Sequence, residues 1–124
     1  MKYYIVQKRN SEYNDEVTTF SDGGEPEKVF TTPEAAQKFC NEQNFKSAKG
    51  MNILEYGYAF DEVVKNCYKF INQFNQTFKT DHTEESISDT YEFELPKNMT
   101  AQQFSEIAPY LKCLPFEVCE CQGE

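Results

Sequence analysis

The chain has 124 residues, of which 39% are hydrophobic and 15% aromatic, and it carries a formal charge of −9. That length holds one domain with one core, and the aromatic content argues against disorder. The acidic balance removes the basic footprint that nucleic acid or anionic lipid requires, and leaves a solvated surface or a basic partner.

The stretch Met1 to Asn10 (MKYYIVQKRN) lacks the apolar core of a secretory signal, and no apolar run is long enough to span a bilayer. A cytoplasmic protein is therefore expected. On that expectation Asn75-Gln76-Thr77 and Asn98-Met99-Thr100 match the glycosylation pattern by chance. The five cysteines (Cys40, Cys67, Cys113, Cys119 and Cys121) should then stay reduced.

Tyr3 to Lys8 (YYIVQK) has the composition of a strand, and apolar groups on both faces predict a central one. Asn10 to Asp15 is turn-like. Glu16 to Phe20 (EVTTF) predicts a second strand, antiparallel to the first. Paired glycines and a proline make Ser21 to Glu27 (SDGGEPE) a predicted loop, after which Lys28 to Thr31 forms a short edge strand. Thr32-Pro33-Glu34 opens a helix, with a capping hydroxyl, a proline at the first helical position and a carboxylate at the positive end of the dipole. Ala36, Phe39 and Cys40 form its inner face, and it should fade near Asn44 or Phe45.

Met51 to Tyr58 predicts a helical turn started by Asn52, then a bend. Asp61 to Phe78 (DEVVKNCYKFINQFNQTF) is the most strongly patterned stretch. Phe60, Val64, Cys67, Ile71, Phe74 and Phe78 recur at steps of four and three, which predicts one continuous amphipathic helix as the main element of the core. Its stripe, widened by Val63 and Phe70, is too broad for a coiled-coil seam. Lys79 to Asp89 is a predicted acidic loop. Tyr91 to Leu95 (YEFEL) alternates as a half-buried strand does, with Tyr91, Phe93 and Leu95 inward. Thr100 and Gln103 form a capping box for a third helix whose buried face is Phe104, Ile107, Ala108 and Leu111, and Pro109 ends or kinks it. Phe116 to Cys121 (FEVCEC) is the final strand. The expected fold is a single α+β domain over residues 1–124. Its mostly antiparallel sheet has four to five strands with three helices packed on one face, in the order β-β-(β)-α-α-β-α-β.

No motif identifies a chemistry. On a strand Cys119 and Cys121 project together with Glu117, and with Cys113 they form an alternative reading as a thiolate metal or redox site. Structural zinc wants four ligands at tighter spacing, and a fourth here has to be His82 or Cys67. The nearby Glu117 and Glu120 raise thiol pKa values, which disfavours a nucleophile. His82, the single histidine, lies in the acidic loop with no ordering signal around it. Gly23-Gly24 lacks a phosphate-binding pattern and is flanked by carboxylates. What remains is acidity: Asp81, Glu84, Glu85, Asp89, Glu92 and Glu94 carry no intervening Lys or Arg. Such a run either is a solvated surface or docks a basic protein. The expected function is a small cytoplasmic protein-binding module, an inhibitor or immunity-type partner of a basic protein. It should be no enzyme, with no cofactor and no nucleic-acid or membrane partner.

Overall fold

The β-rich start of the chain forms a long hairpin in the computed structural model, which describes residues 2–14, 17–57, 59–88 and 92–122. Strand β1 (Lys2–Asn14) pairs antiparallel with β2 (Val17–Phe30), from Tyr4 opposite Phe30 to Asn14 opposite Val17. The predicted loop Ser21–Glu27 therefore lies inside β2, and the predicted edge strand is its end. Register shifts at Val6/Gln7 and Arg9/Asn10 absorb the extra residues as bulges. Pro26 opposes Gln7 on an outer strand, where its missing N–H breaks no second ladder. Glu16, the first residue of the predicted second strand, lies outside the described residues.

β3 (Phe116–Gln122) pairs antiparallel with the other side of β1, with Val118 opposite Val6, so the order is β2-β1-β3 and β1 is central. Among the described residues the sheet has three strands, not four or five, and there are five α-helices, not three. Helix α1 (Pro33–Ala48) begins as expected, with Thr32 Oγ1 accepting the Ala35 N–H at 3.3 Å, and continues a turn further. Its buried face is Ala36, Cys40, Asn44 and Ala48 at successive steps of four. Val6, Ala36 and Cys40 form a small core where α1 covers one face of the sheet, joined by Tyr4, Phe30, Phe39, Phe116 and Val118. Phe116 and Val118, half-buried, pack toward α1, and Glu117, Cys119 and Cys121, also half-buried, alternate with them along β3.

The expected continuous helix is broken. α2 (Phe60–Val63) stops after one turn, and α3 (Cys67–Phe78) starts afresh. Between them Val64 is extended and bridges Leu111, while Lys65 N–H donates to Tyr110 O at 2.7 Å and Lys112 N–H to Val63 O at 2.9 Å. The break lets the adjacent Val63 and Val64 both bury completely, at 0% and 1% exposure, which neighbouring helical positions rarely allow. Asn66 restarts the helix from a left-handed conformation, φ 51°, with Oδ1 accepting the Lys69 N–H.

The expected strand at Tyr91–Leu95 is a single bridge, Asn52 to Glu94, and Tyr91 lies outside the described residues. Phe93 and Leu95 are buried as the alternation demands, but they pair with Met51–Ile53 and not with the sheet. The acidic loop is also partly helical. α4 (Glu84–Ser88) is held by reciprocal Thr83–Ser86 bonds of 2.9 and 3.1 Å, and Asn75 clamps both backbone groups of His82 at 2.9 Å. The capping box of α5 (Ala101–Ile107) forms as expected, and Pro109 converts the next turn to a 3₁₀ helix, Ala108–Tyr110. The larger core gathers Val63, Phe70, Phe74, Phe93, Phe104 and Ile107. Phe93 is its centre, with ring centroids of Phe74 at 4.8 Å, His82 at 5.2 Å and Phe60 at 5.8 Å.

Candidate functional site

The side chain of Asn52 makes the junction on which the acidic site depends. Its Oδ1 accepts the Leu54 N–H at 3.2 Å, which starts a 3₁₀ turn, Ile53–Tyr56. The same oxygen accepts the Phe93 N–H at 2.9 Å, while Leu95 N–H donates to Met51 O at 2.8 Å. Two segments far apart in sequence are thereby fixed side by side. With Phe93 and Leu95 committed to the core, Glu92 and Glu94 face outward, next to Glu55 on the 3₁₀ turn.

The result is a shallow cup of about 440 Å³ lined by Glu55, Glu92 and Glu94 together with Tyr56, Asn52 and the backbone near Gly50. Among the described residues no Lys or Arg lines it. Gly50 is left-handed, φ +71°, and the stem of Lys97 lies so close over it that a side chain there would strike it. The Tyr56 hydroxyl is pushed to higher pKa by burial, with Cys113 and Glu55 adding to it. Chemically, three exposed carboxylates beside a half-buried phenol can accept hydrogen bonds from an ammonium or guanidinium group.

The predicted acidic run is thus divided. Glu92 and Glu94 are in the cup, whereas Asp81, Glu84 and Glu85 are exposed at the start of α4 and do not line it. Glu84 acts instead with Asp61 on Cys67, whose thiol is pushed up mainly by burial and then by these two carboxylates. Asp89 lies outside the described residues. Glu55 was not legible as a partner of Glu92 and Glu94, although Asn52 three residues earlier marks the turn that carries it. His82 is half-buried and placed by its neighbours, with its ring tilted against Phe74 and edge-on to Phe93.

The cysteines are spread over both cores and the open side of the sheet. Cys113 is buried in the larger core, 5% exposed, and burial pushes its thiol up to about 12. Cys119 and Cys121 lie on β3 opposite Ile5 and Tyr3, half-buried on the sheet face that α1 does not cover. Burial, then Glu117 and Cys121, pushes the Cys119 thiol up. Burial and Glu117 push Cys40 up to about 11. Such thiols are held protonated at neutral pH, the form that neither attacks nor ligates well. Among the described residues no group of three or more His, Cys, Asp or Glu side chains is placed to hold a metal ion, and no helix is long and apolar enough to cross a membrane.

Comparison of the chain with protein-family models, with curated protein sequences and with solved structures gave no match.

Proposed function

We propose that this chain is a cytoplasmic protein-binding module of the inhibitor or immunity type, and that it docks a basic protein through the cup of Glu55, Glu92 and Glu94. One observation carries it: carboxylates from two separate segments converge on one cavity that no Lys or Arg among the described residues lines. The whole-chain charge of −9 adds long-range attraction for a basic surface and repels nucleic acid and anionic membrane. The partner contributes Lys or Arg side chains, with Tyr56 as a contact of the kind that carries interface energy. No cofactor and no catalysis enter the proposal.

The test begins with capture from native lysate on the wild-type chain and on a Glu55→Gln/Glu92→Gln/Glu94→Gln variant. A basic protein retained by the first and lost from the second supports the cup. Equal retention by both counts against it.

A further inference from the structure

We propose that the groove between α1 and the outer edge of β3 receives an extended peptide that ends in a free carboxylate, with an apolar last residue and a Lys or Arg upstream. The groove shares no lining residue with the acidic cup, and the two sites stand or fall separately.

The starting observation is a hydrogen-bond pair. Arg9 N–H donates to Pro115 O at 2.7 Å, so Pro115 turns toward β1. Phe116 therefore turns its own N–H and C=O away from the sheet, and there the side chain of Asn44 takes both. Asn44 Oδ1 accepts the N–H at 2.9 Å, and Nδ2 donates to the C=O at 3.1 Å. Asn44 is only 4% exposed, and its amide stands where the peptide group of a fourth strand would stand. Outward and inward residues alternate in an antiparallel ladder. Val118 and Glu120 consequently point their N–H and C=O groups the same way as Phe116, and no further strand of the described residues lies beyond them. An added strand can continue what Asn44 begins.

The helical wall is suited to a backbone. Gln37 and Asn41 precede Asn44 along one face of α1, bonded to each other at 2.8 Å, and all three line the cavity. Primary amides donate and accept at once, as a peptide group does. The cavity is large, about 920 Å³, and Phe45, Phe104 and Leu114 give it an apolar floor near Asn44. The Phe45 and Phe104 rings are 5.7 Å apart.

Charge orients the occupant. Arg9 and Lys112 close the end next to Phe116, with Arg9 Nη1 on the Leu114 carbonyl at 3.3 Å and Lys112 Nζ on the Asp61 carbonyl at 2.9 Å. Glu34, in the first turn of α1, lies at the opposite end, Lys38 and Glu42 between them cancel, and Glu117, next to Phe116, accepts the Gln7 amide at 2.7 Å. From Glu34 to Asn44 the helix rises about 15 Å, which four or five extended residues span. A terminal carboxylate at Arg9 and Lys112 thus places a basic side chain about four residues upstream beside Glu34. A second copy of this chain fits less well, because pairing β3 edge to edge would bring a second exposed Glu120 against the first.

The experiment pans a library of random heptapeptides with free carboxyl termini against the full chain. A peptide so selected is then synthesised with a fluorescent label at its amino end. Expected are an apolar last residue, a Lys or Arg about four positions before it, and binding at least tenfold weaker when the terminus is amidated. Lys112→Glu should weaken binding to a similar degree, and the Val118 and Glu120 amides should gain protection from hydrogen exchange in the complex. The amidation arm needs no variant and so is immune to misfolding. No enriched peptide, or a peptide indifferent to amidation and to Lys112→Glu, overturns the proposal. It is equally overturned by dodecanoate binding where no peptide binds, or by a peptide-free dimer that already protects both amides.

Discussion

Two asparagine side chains do at single positions what a strand would otherwise do. Asn52 holds the 3₁₀ turn and the Phe93 segment with one oxygen, and Asn44 holds the edge of β3 with both ends of its amide. Asn52→Ala leaves two backbone donors without their acceptor and should cost about 1–3 kcal/mol in urea unfolding. A loss below about 0.5 kcal/mol would show that water replaces Asn52 freely. The buried thiols set a pH dependence of definite sign. An ordinary thiol titrates at 9.0, but Cys40 is held at about 11 and Cys113 at about 12. Below pH 9 both states keep their protons and stability is unaffected. As pH rises toward 11 the unfolded chain releases them while the fold retains them, so stability falls, by up to about 1.4 kcal/mol per pH unit for each thiol. Under reducing conditions the loss between pH 8.5 and 10.5 should be smaller in a Cys40→Ala/Cys113→Ala variant. An equal loss in both proteins would place its origin elsewhere.

Among the elements, those specified by neighbours in sequence are the ones a reader of the sequence can find. The Thr32 cap, the Thr100–Gln103 box and the alternation of Phe93 and Leu95 are all local, and all appear in the fold. The break after Val63 is not local. It is made by hydrogen bonds to Tyr110 and Lys112, and periodicity alone favours one long helix over α2 and α3. β2 was hidden for the opposite reason: glycine and proline read as loop signals, while bulges allow them to stay paired. The acidic cup was half legible. Glu92 and Glu94 could be chosen by alternation, but Glu55 joins them only through hydrogen bonds between the Met51–Ile53 and Phe93–Leu95 segments, far apart in sequence. Asn66 is the residue on which the α2–α3 break turns. Asn66→Ala removes the cap on Lys69 N–H and puts a less tolerant side chain at φ 51°. It should destabilise by about 1–2 kcal/mol, whereas Asn66→Gly should cost only a few tenths. Equal effects of the two substitutions would contradict the left-handed restart.

At the scale of the molecule, two cores divide the work. α1 and the sheet enclose the smaller one, and the helices enclose the larger around Phe70, Phe74 and Phe93. The larger core supports the cup from beneath through Phe93, so the backbone that carries Glu92 and Glu94 is held in place. Their neutralisation should leave stability within about 0.5 kcal/mol, because they are exposed. It should act on encounter instead, since charges at an interface rim mainly steer association. The most direct measurement is the association rate of the captured basic partner, by stopped flow across a salt series. It is made for the wild-type chain and for the Glu55→Gln/Glu92→Gln/Glu94→Gln variant. Screening sets in over about 8 Å at physiological salt. The wild-type rate should fall as salt rises, and the variant should associate more slowly at low salt with a flatter dependence. A partner whose association rate is indifferent both to salt and to the three substitutions would contradict the cup as its docking site.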